Sequence, residues 1–310
     1  FCNRSIQPTS DAGQASPYNH LIAPAPDQLL RVAIAIGFFR ARLKNAYQIL
    51  RGKDVNTGSF SEEFRNAQFE ILSASQSVVL DLKHWHLFLN AIRAAGFRSK
   101  ELIAAEAALM YTYVYYLIGK TKCKVPQQTL ERLIGRWFYF VSVTARYTGA
   151  TETIMDEDLA RVKDLSDSDE FIDAVEGVMA TTLTDDFWHE TAPFNLTSSS
   201  ARNPSILAFY AAQCRLAAPV LFSDKPVADY FDPTIKAVKK PIEKHHLFPK
   251  NWLHAQGVAD KKLTDQVANF SYVEWSENIQ ISDESPAEYV PRLKEVFDSA
   301  SWEKMSNLHA

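Results

Sequence analysis

The feature that most constrains this chain is a helical spacing of apolar residues that recurs, with short interruptions, from Pro24 to about Ala217. In Pro24 to Gly52, PAPDQLLRVAIAIGFFRARLKNAYQILRG, apolar side chains return every three or four positions and the stretch closes on a glycine. Ser61 to Gly96 predicts one or two further helices. Ser99 to Lys120 predicts another, with Ser99 as its cap and Glu101 behind it. Val125 to Gly149, VPQQTLERLIGRWFYFVSVTARYTG, predicts a fourth unit closed by Gly149. Acidic amphipathic segments follow at Glu152 to Leu165 and Asp169 to Met179, then NPSILAFYAAQCRL from Asn203.

Beyond Ala217 the pattern changes. APVLF and PIEKHHLF are short, apolar and bounded by proline, and NFSYVEW alternates as a half-buried strand does. The expected fold class is therefore mostly α, with a helical body over residues 1–217, of which 1–23 read as irregular. A small α/β unit over residues 218–310 completes it. With 46% apolar and 23% charged residues among 310, the chain has ordinary material for a sizeable core.

No apolar run reaches the ~18 residues of a membrane span. The nearest, AALMYTYVYYLIG from Ala107 to Gly119, is short and rich in tyrosine, and its Tyr111, Tyr113, Tyr115 and Tyr116 read as core packing. Cys2, Cys123 and Cys214 are odd in number and far apart, which favours a reducing compartment over a disulfide framework. A cytoplasmic protein with no membrane partner is expected, and the Asn195-Leu196-Thr197 sequon reads as chance. The opening residues FCNRSIQPTSDAGQ have neither an initiator Met nor signal-peptide regions, as expected of a piece of a longer protein.

Three motifs that invite chemistry do not carry it. Gly119-Lys120-Thr121 lacks the earlier glycine of a phosphate loop, since Val114 stands there, and a helical pattern precedes it. No G-x-S-x-G is present. His84 and His86 fall on different faces of a helix.

KKPIEKHHLFPKNWL, Lys239 to Leu253, is different. Adjacent residues of a strand point to opposite faces, so His245 and His246 are either one core and one solvent residue or a pair at a strand end that reaches one site. Pro249 comes three residues after His246; Asn269 follows, and Asn278 nine positions later. This pattern resembles the HNH nuclease motif, and the cadence Asn269, Asn278, Ser282, Pro286, Glu288 is similar to the asparagine region of HNH domains in RNA-guided nucleases. HHLFPK, together with the helical stretch LIGRWFYFVSVTARYTGATETIMDEDL from Leu133, resembles the C-terminal part of GmrSD-type, modification-dependent restriction proteins. The resemblance covers roughly residues 90 to 292.

The resemblance implies a small ββα-metal unit that nicks DNA, within a bacterial defence protein whose ParB-like N-terminal domain is not among these residues. It assigns His246 as the general base and Asn269 as the residue that fixes the loop carrying that base. His245 and Asn278 become the ligands of a divalent metal. An imidazole whose reference pKa is ~6.5 is largely neutral at pH 7 and can accept a proton from water. One imidazole and one amide oxygen make an open site of the kind Mg²⁺ occupies while keeping waters, with Mn²⁺ or Ni²⁺ as alternatives. Glu243, Asp283 and Glu277 are auxiliary oxygen candidates.

The chain's net charge of −4 means that a DNA partner needs a local basic patch. Lys236, Lys239, Lys240, Lys244, Lys250, Lys261 and Lys262 supply one around the histidines, although a solvated face explains a lysine run equally well. Arg136 and Arg146, the latter beside Tyr147 in the restriction-protein stretch, are further candidates for gripping DNA backbone or the absent domain. A single site cuts one strand, so a double-strand break calls for a homodimer. The competing expectation is an inactive ββα fold serving as a DNA-binding or regulatory module.

Overall fold

A computed structural model describes residues 21–53, 57–233 and 242–309. Lys236, Lys239, Lys240 and Cys2, and nearly all of the 1–23 stretch, lie outside them. The protein is mostly helical, with one two-stranded antiparallel sheet near its C-terminal end. It divides into two compact units, Phe1–Ala95 with Ala105–Leu183, and Gly96–Ala104 with Thr184–Ala310.

The first unit contains α1 (Pro26–Phe38), α2 (Leu43–Leu50), α3 (Glu62–Val79), α4 (Leu82–Ala94), α5 (Glu106–Leu117), α6 (Gln127–Val143), α7 (Thr151–Val162) and α8 (Ser168–Thr182). The stretch from Pro24 to Gly52 forms two helices, because Phe39 adopts a left-handed conformation that ends α1. A break before Asp81, whose side chain accepts from Lys83 N, separates α3 from α4. The helix expected from Ser99 starts only at Glu106. A single 3₁₀ turn, Lys100–Leu102, and the extended residues Ile103 and Ala105 precede it. Similarly α6 stops at Val143, six residues short of Gly149, where Ala145 takes a positive φ.

Helix α5 is buried on every side from Ala108 to Leu117, as an apolar helix too short for a bilayer must be. Its tyrosines stack on neighbouring helices: Tyr113 lies 3.9 Å from Trp85 of α4, and Tyr115 lies 4.7 Å from Trp137 of α6, nearly parallel. A π-helical turn, Ile118–Lys122, ends α5, so the Gly-Lys-Thr sequence is a helix terminus and not a loop after a strand.

In the second unit, α9 (Pro204–Arg215), α10 (Val227–Phe231), β1 (Ile242–His246), α11 (Lys250–Ala255), α12 (Lys261–Thr264), β2 (Phe270–Glu274), α13 (Trp275–Ile281), α14 (Pro286–Lys294) and α15 (Ser299–His309) follow in order. The main stretch of this unit runs from Thr184. Helix α9 shares its packing, with Tyr210 against Tyr272 of β2 and Gln213 donating to Leu308 O of α15. Its helical pattern is like that of the preceding helices, so sequence alone could not separate it. Gly96 also belongs here. Its φ is +104°, and a Cβ on it would meet Ala211 O at 1.9 Å, so only glycine fits.

Strands β1 and β2 pair with Ile242 opposite Glu274, His245 opposite Ser271 and His246 opposite Phe270. APVLF contributes isolated bridges, Pro219 to Pro226 and Leu221 to Val273, instead of a full strand. Val273, Ile281, Tyr289, Leu293, Phe222 and Met305 form the small core beneath the hairpin.

Candidate functional site

The two histidines divide as their strand dictates. His245 turns inward, 5% exposed, edge-on to the Tyr289 ring at 6.0 Å. His246 faces the other way, partly exposed, and packs on Phe270 at 4.3 Å. The strand ends there, and Asn269 takes over the chain that follows. Its carbonyl accepts from Leu247 N at 2.8 Å, and its side-chain oxygen accepts from Phe248 N at 2.8 Å. Its amide donates to Phe248 O at 3.1 Å and Thr264 O at 3.0 Å. Asn269 therefore braces the loop after His246 through backbone groups.

Helix α13 starts directly after β2 and turns back across the hairpin, which brings Asn278 to the inner face of β1. The carboxylate of Glu243, two residues before His245 and so on the same face, accepts from Asn278 Nδ2 at 2.6 Å. A carboxylate only accepts, so this contact fixes the amide with Oδ1 toward His245 Nδ1, 2.7 Å away. Burial lowers the His245 pKa below its ordinary value. The Asn278 hydrogen bond opposes this and neighbouring His246 adds to it. The ring is thus neutral at pH 7, and its Nε2 is buried without a partner, an arrangement that costs stability in any protein.

With Oδ1 fixed as an acceptor, Nδ1 carries the ring hydrogen and donates it, so the two atoms can hold a metal together only when that hydrogen sits on Nε2 instead. Two adjacent ligands of an octahedral ion with bonds of about 2.1 Å stand about 3 Å apart, close to the 2.7 Å between these atoms, so the spacing suits such an ion once the hydrogen has left Nδ1. Among the described residues no group of three or more His, Cys, Asp or Glu side chains converges. Of the other oxygen candidates, Asp283 accepts from Asn251 at 2.9 Å and Glu277 from Ser276 at 2.6 Å.

On the outer face, His246 Nε2 lies 3.0 Å from Asp265 Oδ1, and Lys250 Nζ reaches the same oxygen at 2.6 Å. Lys250 above all, and His246 with it, hold the Asp265 carboxyl below its ordinary range. Lys244 is exposed, but its ammonium lies 6.0 Å from the Tyr210 ring centre and 5.9 Å from that of Phe270. Burial lowers its pKa.

The two arginines lie in the first unit. Arg146 binds buried Asp158 with both ends of its fork, at 2.9 and 2.6 Å, and Tyr147 donates to the same carboxylate at 2.7 Å. Burial alone would lower the guanidinium's pKa; the bonds and charge of Asp158 outweigh it and raise it. Arg146 is thus paired with an internal carboxylate. Arg136 is exposed and paired with Glu176.

Sequence reasoning did not find Asp265 or Tyr289. Asp265 sits 19 residues from His246, just past the end of a four-residue helix, with no periodic signal to mark it. Tyr289, whose hydroxyl donates to Leu247 O at 2.6 Å, looks like any core residue of an amphipathic helix.

No family model matches the chain, and no solved structure matches it. Among curated proteins it is similar to an uncharacterized protein of the archaeon Methanocaldococcus jannaschii, 25% identical over 163 residues. The match covers 53% of this chain and 25% of the archaeal protein. The chain thus spans about a quarter of that relative's length.

Proposed function

We propose that the second unit is an HNH-type, ββα-metal endonuclease that nicks DNA with a divalent cation, and that it serves in a modification-sensing restriction protein. The observation that carries this reading is the meeting of His245 Nδ1 and Asn278 Oδ1 at 2.7 Å across a two-stranded hairpin and the helix after it. His246 stands next in the strand, and Asn269 holds the loop beyond it.

His245, with its ring hydrogen moved to Nε2, and Asn278 would hold the cation, Mg²⁺ because so few protein ligands leave it its waters, with Glu243 fixing the amide. When bound, such an ion supplies charge neutralisation on the phosphate and relief for the departing oxygen. The chain's own residues do the rest. His246 accepts a proton from a water whose oxygen forms the new bond to phosphorus. The ester bond to the departing oxygen breaks, and that oxygen takes a proton from solvent. One water is consumed, and one phosphate monoester and one hydroxyl appear. Lys244 of β1, Lys250 of α11, and Lys261 and Lys262 of α12 are the described cations of the basic patch.

The test is relaxation of supercoiled plasmid by the 310-residue chain with Mg²⁺ or Mn²⁺, beside EDTA and His246→Ala. Metal-dependent nicking that falls at least ~10²-fold in the variant is expected. Plasmid binding without nicking would transfer the assignment to an inactive DNA-binding module.

A further inference from the structure

We propose that Asp265 is a positioning residue for His246, fixing which ring nitrogen carries the proton and leaving the other bare to receive one. The catalytic half of this statement rests on the nuclease reading; the tautomer half does not. The Asp265 oxygen 3.0 Å from His246 Nε2 belongs to a carboxylate, which can only accept. Nε2 therefore carries the hydrogen, and in a neutral imidazole Nδ1 is then a free lone pair. Nδ1 is the nitrogen that takes the proton of the attacking water.

Three contacts make the arrangement a built one. Lys250 Nζ binds the same Asp265 oxygen at 2.6 Å and holds the carboxylate in place. Phe270, opposite His246 in the sheet, lies against the imidazole at 4.3 Å and restricts its rotation. Asn269 ties both ends of the contact together. It binds Phe248, two residues after His246, and Thr264 O, immediately before Asp265. The asparagine of the motif thus holds the base and the residue that orients it in a single frame.

The experiment uses the 310-residue chain in two readouts. In plasmid nicking, Asp265→Ala should lower kcat on the order of 10–10²-fold with KM unchanged, the cost of a mis-set general base. Asp265→Asn, which retains an acceptor oxygen, should recover most of the loss. In ¹⁵N-histidine NMR, with His246 assigned by its absence in His246→Gln, the wild type should show the Nε2-protonated tautomer and Asp265→Ala a mixture. Circular dichroism checks folding; if the alanine variant does not fold, Asp265→Leu, which has no acceptor, takes its place. An unchanged His246 tautomer, or a nicking rate within about twofold of wild type in the folded variant, overturns the proposal. A wild type that nicks nothing defeats the nuclease reading, while the NMR still decides whether Asp265 sets the tautomer.

Discussion

At the scale of single residues, this protein uses one-way hydrogen-bonding partners to fix ambiguous ones. Glu243 orients the Asn278 amide as Asp265 orients His246. His309 shows the same logic away from the site. Its Nε2 lies 2.7 Å from Pro219 O and must donate, so Nδ1 accepts from Ser271 Oγ and Gln213 Nε2, each at 3.1 Å. Burial lowers its pKa below the ordinary 6.5, against the opposing pull of the Pro219 carbonyl. The sign follows from linkage. Above pH 6.5 the ring is neutral in folded and unfolded chains alike and its full contribution is present. Below that, the unfolded chain takes up the proton first, so stability falls until the folded pKa is passed. Urea midpoints measured from pH 7.5 down to 5.5 should decline more steeply in wild type than in His309→Gln.

At the scale of elements, α5, α6 and α7 are held by rings stacked across their faces and by one buried ion pair. Asp158 is wholly buried and is satisfied by Arg146 and Tyr147 together. Removing the carboxylate strands the guanidinium among Trp137 and Phe140, whose ring centres lie 6.0 and 5.6 Å away. Asp158→Ala should cost about 3–5 kcal/mol of unfolding free energy by urea titration, the usual loss when one member of a buried pair is deleted. The helices themselves were legible as a three- and four-residue repeat, but their ends were not. Val143 and Glu106 begin or end helices at points where backbone geometry, set by packing, overrules capping residues nearby in sequence.

At the scale of the whole molecule, the prediction concerns where a cation acts. If His245 and Asn278 hold it, Mn²⁺ should slow amide hydrogen exchange in peptides covering Ile242–His246 and Trp275–Ile281. It should leave α5 and α6 unchanged. In Asn278→Ala the local protection should disappear. An equal effect of Mn²⁺ on wild type and variant would remove the amide from the ligand set. Among the described residues, no helix is long and apolar enough to cross a membrane.

The helical class, the two strands that frame His245 and His246, and the asparagine spacing are legible along the chain. Each of these is written in local periodicity or short motifs. Tertiary structure decided the rest. It assigned α9 to the second unit, because packing partners and not helical pattern define a unit. It committed Arg146 to Asp158, since a positive charge read in isolation does not disclose its partner. It also brought Asp265 to His246 across 19 residues, a contact made by chain folding that no spacing rule encodes.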